Sequence, residues 1–157
     1  MRLALSSDHA GYELKRDLAA ILGQQGHAVL DLGTNSTAPC DYPDAAESVA
    51  QALRNGDAER GIIVCGSGAG VSIAANKFPG IRAAVCHDTY TAHQAVEHDD
   101  MNVLCIGSRI IGSALAQDIV ASFLGATFSG EPRHQRRLDK ILAIEKRFSA
   151  PPSDKPE

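Results

Sequence analysis

Residues 61–77 read GIIVCGSGAGVSIAANK, and the interpretation of the whole chain starts from this stretch. The segment 61–64 is apolar and β-branched, which predicts a buried strand that ends at Cys65. Residues 66–70 alternate glycine with small side chains and predict a tight loop, and a helix is expected from Val71 onward. A strand, a glycine-rich loop and a helix start direct backbone N–H groups and a partial positive charge to one point. Cys65 is therefore a candidate thiolate beside an anion-binding loop.

Similar elements flank this stretch along the chain. Apolar runs predict four further strands, and helical periodicity predicts the helices between them. The strands are expected at 2–6, 28–32, 81–86 and 103–107, and the other helices at 12–25, 42–54, 87–98, 113–124 and 133–147. Strands that alternate with helices predict a parallel sheet covered on both faces. We expect an α/β fold, a Rossmann-like three-layer α-β-α sandwich with a five-stranded parallel sheet. It would form a single domain over 1–148, followed by a disordered tail at 149–157.

Length, net charge, apolar runs and cysteine spacing together limit the functions that are expected of this chain. A length of 157 residues suits one domain with a sizeable core. The net charge of −4 argues against nucleic acid as a partner. No apolar run is long enough to cross a bilayer, so a cytoplasmic protein without a membrane partner is expected. The four cysteines form no CxxC pair and no zinc spacing, which predicts no metal site.

Three common uses of a glycine-rich loop fail here on spacing. The glycines at 66, 68 and 70 do not form GxGxxG, and the loop follows the third strand rather than the first. The P-loop pattern GxxxxGK[ST] is absent from the sequence. A cysteine phosphatase would need an arginine at the position of Val71. Taken alone, the stretch leaves open that Cys65 is an unreactive core thiol and that the glycines only allow close packing.

Polar residues at the strand ends favour a function. Ligands of such sheets bind outside the carboxyl ends of the strands, and Asp8 and His9 share that edge with Cys65. Alone, Asp8 is better explained as a cap of the first helix. His98 ends a helix that runs back to the opposite edge, so it could reach Cys65 only from a second subunit.

The last predicted helix carries two arginines on one face. Arg133 and Arg137 are four residues apart. Such a pair suits a phosphate or a carboxylate, although two solvated arginines are the default interpretation.

Five segments, taken together and in order, resemble the type B ribose-5-phosphate isomerases, whose family also contains the galactose-6-phosphate isomerase subunits. They are SDHAG at 7–11, DYP at 41–43, CGSGAG and SIAANK within 65–77, HDDMNVL at 98–104, and RHQ at 133–135 with Arg137. The resemblance covers nearly the whole chain except the tail. One departure is Asp99, where relatives commonly carry asparagine. Because an ionised aspartate only accepts hydrogen bonds, a four- or six-carbon sugar phosphate stays open as the substrate.

The resemblance implies an aldose–ketose isomerase that interconverts D-ribose 5-phosphate and D-ribulose 5-phosphate without metal or organic cofactor. Cys65 would be the base, and Ser67 would help a proton to move between the two sugar oxygens. Asp8 and His98 would open the furanose ring. Backbone N–H groups of the loop, from Gly66 through Gly68 to Gly70, would stabilise the enediolate.

The resemblance also implies how the substrate is bound and how subunits assemble. The substrate-binding residues would be His9, Tyr42, Asp99, Arg109, Arg133 and Arg137. His98 and Arg109 would come from the partner subunit of a homodimer, or of a tetramer. A non-catalytic protein that binds a sugar phosphate or nucleotide through the same loop is the alternative from a different class.

Overall fold

The computed structural model describes residues 1–149, which form five strands and six helices. The strands are β1 (Arg2–Ser7), β2 (Ala28–Asp31), β3 (Arg60–Cys65), β4 (Ala83–Val85) and β5 (Val103–Gly107). The helices are α1 (Tyr12–Gln24), α2 (Tyr42–Arg54), α3 (Ala69–Ala75), α4 (Thr89–Asp99), α5 (Ser113–Gly125) and α6 (Pro132–Ser149). All strand pairs are parallel, in the order β2-β1-β3-β5-β4. The predicted α/β fold is confirmed.

The central strands divide their side chains between two apolar layers. On one face Ile62 and Leu104 pack in a core with α1, α4 and α5. On the other face Ile63 and Cys105 pack with α2 and α3, and Cys65 belongs to this second core. Strands buried on both faces are continuous apolar runs, as 61–64 is, because neither face meets water. These two cores make the three layers of the predicted sandwich.

Several element boundaries differ from the sequence prediction. β4 has three residues instead of six, because the Arg82 N–H donates to the side chain Oδ1 of Asn102 (2.8 Å) rather than to the ladder. α3 starts at Ala69, two residues early, so Gly70 lies in its first turn and the loop is only 66–68. α6 includes Ser149, the first residue of the predicted tail. The rest of that tail lies outside the described residues.

Two edges of the sheet matter for function. The segments that follow β1, β3 and β5 meet at the carboxyl edge, where ligands of parallel sheets bind. α4 starts after β4 at this edge and ends just before β5, at the amino edge. Within residues 1–149, no helix is both long and apolar enough to span a membrane.

Candidate active site

A pocket of about 360 Å³ opens at the carboxyl edge and is named here the Cys65 pocket. It is lined by Asp8, His9, Ala10, Tyr42, Cys65, Gly66, Ser67, Gly70, Arg109 and Ile110. One chain therefore brings together most of the residues predicted for catalysis and binding. A larger groove of about 820 Å³ is lined mainly by apolar residues of α6, of β4 and of the connection between α3 and β4, and it contains none of them except Asp99.

The loop after β3 holds the Cys65 sulfur. Cys65 is 4% exposed, and the Gly68 N–H donates to its Sγ at 3.1 Å. Gly68 has φ +81°, and a Cβ there would lie 3.1 Å from Val85 Cγ1 and 3.2 Å from Gly107 N. Only glycine satisfies both constraints. A charge-assisted hydrogen bond is stronger than a neutral one, so the Gly68 N–H can stabilise a negative charge on the Cys65 sulfur.

The remaining cysteines are also free thiols. Burial raises the pKa of Cys86 to about 11, with a smaller contribution from the Asp88 carboxylate. Burial likewise raises the pKa of Cys105. Cys40 is half-buried in the segment before α2. Cys65 is the cysteine that the fold places in a pocket with polar groups.

Asp8 and His9 are fixed by backbone groups. Asp8 is 8% exposed, and its Oδ1 accepts the Gly11 N–H at 3.0 Å. This bond lies in the turn before α1, whose N-cap is Gly11 without a side-chain cap, so the prediction that Asp8 caps the first helix is wrong. The N–H and the carbonyl oxygen of Cys40 each lie 3.2 Å from His9 Nδ1, so the Cys40 backbone holds this edge of the ring. The other ring nitrogen, Nε2, can donate to an anion when it carries a proton.

Tyr42 and Arg109 complete the wall of the pocket. A Cβ on Gly70 would lie 2.9 Å from Tyr42 Cε2, so the ring depends on the absence of a side chain there. The Arg109 N–H donates to the Gly66 carbonyl (3.1 Å), which brings this arginine against the loop. The resemblance implied that Arg109 comes from a partner. The structure differs, because the segment after β5 already delivers Arg109 to the pocket of its own chain.

His98 lies elsewhere, next to His134. The two rings stack with centroids 4.0 Å apart, and His98 Nε2 is 3.6 Å from Glu97 Oε2. His134 is 1% exposed, and its Nδ1 is hydrogen-bonded to Ser129 Oγ at 2.6 Å. Burial lowers the pKa of His134, and the nearby His98 lowers it further. This histidine pair was not predicted, because no sequence pattern links position 98 to position 134.

Arg133 and Arg137 accompany the histidine pair at the start of α6. Both are exposed, and Arg133 Nε donates to Glu131 Oε2 at 2.9 Å. Their charges contribute to the lowered pKa of His134, which places them near that ring. Asp99 is also exposed and follows His98. These four residues, His98, Asp99, Arg133 and Arg137, are outside the Cys65 pocket of their own chain, as the direction of α4 predicted for His98.

Ser108 is a supporting residue that the sequence analysis missed. Its Oγ donates to the Ala10 carbonyl (2.8 Å), and its N–H donates to the Cys65 carbonyl (2.8 Å). It thereby ties together the segments that follow β1, β3 and β5. Its position directly after Gly107, at a carboxyl strand end, was the available signal.

His87 has a similar supporting role. Its Nε2 accepts the Gly107 N–H at 2.9 Å, next to the loop that carries Ser67. Among residues 1–149, no cluster of three or more His, Cys, Asp or Glu side chains is arranged to hold a metal ion.

Comparisons with known proteins give consistent findings. The family profile described as Ribose/Galactose Isomerase matches residues 3–141. Ribose-5-phosphate isomerase B of Escherichia coli is 47% identical over 93% of this chain and 97% of its own. The structure of ribose-5-phosphate isomerase B of Clostridium thermocellum superposes with a TM-score of 0.92 at 49% identity, covering 94% of this chain and 99% of the other. D-erythrulose-4-phosphate isomerase of Pectobacterium atrosepticum is 40% identical over 83% of this chain and 86% of its own.

Proposed function

The chain belongs to the ribose/galactose isomerase family, and on that premise we propose that it interconverts D-ribose 5-phosphate and D-ribulose 5-phosphate. The proposal depends most on the position of Cys65. Its sulfur accepts a backbone N–H and lies in a pocket that also contains a histidine and an arginine. The pocket thus combines a base with groups that attract an anion, which isomerisation of a phosphorylated sugar requires.

The reaction moves one proton between neighbouring carbons. The Cys65 thiolate takes the proton from C2 of the open-chain aldose, and the electron pair of the C–H bond forms the enediolate. Ser67 assists transfer of a proton from O2 to O1, and the Cys65 thiol returns its proton to C1. Loop N–H groups at 66–70 stabilise the negative oxygen, as donors in an oxyanion hole do. The Gly68 N–H serves the sulfur instead.

Two subunits would complete the site. His98, Arg133 and Arg137 are at the amino edge, away from the Cys65 pocket of the same chain. In a homodimer these residues of one chain would face the pocket of the other, and a two-fold axis would make the arrangement reciprocal, so that the dimer has two such sites. Asp8 and the His98 of the partner subunit would then open the sugar ring.

The phosphate would be held by residues from both chains. His9 offers its Nε2 edge and Arg109 its guanidinium from one subunit, and Arg133 and Arg137 of the partner subunit add two further charges. Guanidinium groups bind phosphate through paired N–H donors. Tyr42 would form the wall against which the sugar lies.

A four-carbon sugar phosphate is the second candidate substrate. It is favoured by Asp99, which can only accept hydrogen bonds when ionised. The similarity to a relative named as a D-erythrulose-4-phosphate isomerase points the same way. Ribose 5-phosphate is preferred because more than one similar protein carries that name.

Proton exchange in heavy water tests the reaction. The protein is incubated with ribose 5-phosphate, and deuterium is expected at C1 of ribulose 5-phosphate and at C2 of ribose 5-phosphate. Exchange at the level of a protein-free control would contradict the proposal for this substrate. Parallel reactions with erythrose 4-phosphate, allose 6-phosphate and galactose 6-phosphate decide which sugar is preferred. Tight binding without any exchange would favour the non-catalytic alternative.

We also propose that residues 1–148 act as one domain and that the protein works in the cytoplasm. The family match over 3–141 supports the first statement. The second follows from the substrate, because a charged phosphate ester does not cross a membrane unaided. Fractionation of the producing cells, with detection of the chain, checks it.

A further inference from the structure

Lys15 is a buried charge for which the proposed reaction gives no role. It is 1% exposed and is the largest fully buried side chain in the described part of the protein. It sits on α1, which faces the sheet, and does not line the Cys65 pocket. Burying an ammonium group is costly unless every donor finds a partner, so its contacts indicate its purpose.

All of the hydrogen bonds of the Lys15 ammonium are made to one short segment. Nζ forms an ion pair with Asp31 and donates to the carbonyl oxygens of Leu32 (3.3 Å) and Thr34 (3.0 Å). An ammonium has three N–H donors, so these three acceptors match its capacity. The segment 31–34 is where β2 ends and the connection to α2 begins. Lys15 thus fixes the first residues of this connection to α1.

The connection continues from Lys15 to His9 through local hydrogen bonds. The Ser36 N–H donates to Thr34 Oγ1 and the Ala38 N–H to Ser36 Oγ, both at 3.3 Å. The next step is Cys40, whose N–H and carbonyl oxygen each lie 3.2 Å from His9 Nδ1. Side-chain-to-backbone bonds of this kind hold a connection in one conformation.

A close approach between Gly33 and β1 also fixes the start of the connection between β2 and α2. Gly33 has φ +86°, and a Cβ there would overlap Ser6 Oγ of β1. The first residues are therefore held by Lys15 on one side and by β1 on the other. Cys40 precedes Asp41, the cap of α2, and its backbone fixes the orientation of the His9 ring.

We infer that Lys15 is a positioning residue for the phosphate-binding face of the Cys65 pocket. By anchoring residues 31–34, it keeps the backbone of Cys40 in contact with His9 Nδ1. This fixes the His9 ring so that its other nitrogen, Nε2, serves the substrate phosphate. The inference rests on the proposed function for the identity of the ligand, but the contact between Cys40 and His9 does not depend on it.

The test replaces Lys15 by methionine, which keeps much of the length and removes the charge. We expect KM for ribose 5-phosphate to rise about three- to tenfold, the value of one lost hydrogen bond, while kcat changes less than KM. Nitrogen-15 NMR should show the Nδ1 and Nε2 chemical shifts of His9 moving away from their wild-type values, because the ring loses its fixed contact with Cys40. This readout does not require turnover, so it separates failure of this inference from failure of the proposed function.

A double variant separates positioning from stability. Lys15→Met with Asp31→Leu removes both charges, so that no carboxylate is left without its partner. It should unfold at a denaturant concentration closer to wild type than Lys15→Met does, and still show the raised KM and the altered His9 signals. If either variant is folded with wild-type KM and wild-type His9 signals, the inference is wrong.

Arg60→Met is the matched control. Arg60 is also a half-buried cation that donates to two carbonyl oxygens, those of Phe123 and Ala126. These lie at the end of α5, remote from the connection between β2 and α2. Arg60→Met should lower stability and leave KM and the His9 signals unchanged. A similar rise of KM in this variant would show that the effect is not specific to Lys15, and would overturn the inference.

Discussion

Cys65 combines burial with access to a pocket. Its sulfur is nearly inaccessible from the general surface, yet it borders the cavity and accepts the Gly68 N–H. The sequence predicted Cys65 as the candidate base, because a cysteine at a strand end before a glycine-rich loop lies near backbone N–H groups that favour a thiolate.

The sequence did not predict the buried position of Lys15, because a lysine on an amphipathic helix is expected to face solvent. Only the tertiary contact with Asp31 explains it.

Cys65→Ala should lower kcat by about 10²- to 10⁴-fold, the usual contribution of a positioned general base. The change removes one sulfur atom, so the fold should persist. Turnover of ribose 5-phosphate and a denaturation curve measure the two effects.

Cys105→Ala is the control for Cys65→Ala, because both thiols lie on the same face of the sheet. It should lower stability by leaving a small cavity and should keep kcat near wild type. An active, folded Cys65→Ala protein would show that another group is the base.

The element that shapes the site is the loop from β3 into α3. The sequence predicted the strand well, because β3 is buried on both faces and needs a continuous apolar run. It placed the start of α3 two residues late, since the small residues Ala69 and Gly70 show no helical periodicity. β4 was predicted too long at its start for a related reason: Ile81 is buried, but its N–H donates to the Phe78 carbonyl rather than to β5, so burial alone did not mark a strand.

Gly68→Ala should destabilise the protein by about 1–2 kcal/mol, the cost of a left-handed conformation at a residue with a Cβ. It should also lower kcat, because a shifted Gly68 N–H no longer supports the Cys65 sulfur. Denaturation midpoints and kcat are measured together.

Gly26→Ala provides the comparison for Gly68→Ala. Gly26 has φ +86°, and a Cβ there would meet no atom within 4 Å. It should show only the loss of stability that comes from the positive φ, smaller than that of Gly68→Ala, with unchanged kcat. Equal losses of kcat in the two variants would refute a specific role of the Gly68 N–H.

The pairing of α4 with α6 should make stability depend on pH. The pKa of His134 is lowered in the folded chain, so below about pH 6.5 the unfolded chain binds more protons. The stability contributed by neutral His134 is then lost as the pH falls through that value. Urea midpoints at pH 7.5 and 5.5 should differ less in His134→Gln than in wild type.

His93→Gln is the control for the pH experiment. His93 is exposed, and its Nε2 is 4.0 Å from the Glu97 carboxylate. This variant should keep the wild-type difference between the two urea midpoints. If His134→Gln also keeps it, the buried ring is not the source of the pH dependence.

At the scale of the whole molecule, the residues proposed for the reaction form two groups at opposite edges of the sheet. The direction of α4 made the separation of His98 from Cys65 predictable. The position of Arg109 was not predictable, because the conformation of the residues after β5 depends on contacts with the Gly66 loop. The stacking of His98 on His134 likewise arises from the packing of α6 on α4.

Mixing Cys65→Ala with His98→Ala subunits should restore activity. Random association gives mixed dimers as half of all dimers, each with one intact site, so about a quarter of the wild-type activity is expected. Each variant alone should be inactive. If mixed dimers form, as shown by native mass spectrometry, and no activity returns, the two groups do not meet across subunits.

The burial of Cys86 and Cys105 has a consequence for covalent inhibition. Thiolates react with alkylating agents and thiols do so far less, and the pKa of Cys86, about 11, keeps it protonated at neutral pH. A sugar phosphate that carries a haloacetyl group would be guided to Cys65, with Cys40 as the slower target. Peptide mass spectrometry should show that ribose 5-phosphate protects Cys65 alone, and the amount of label incorporated would then count the working sites in a preparation.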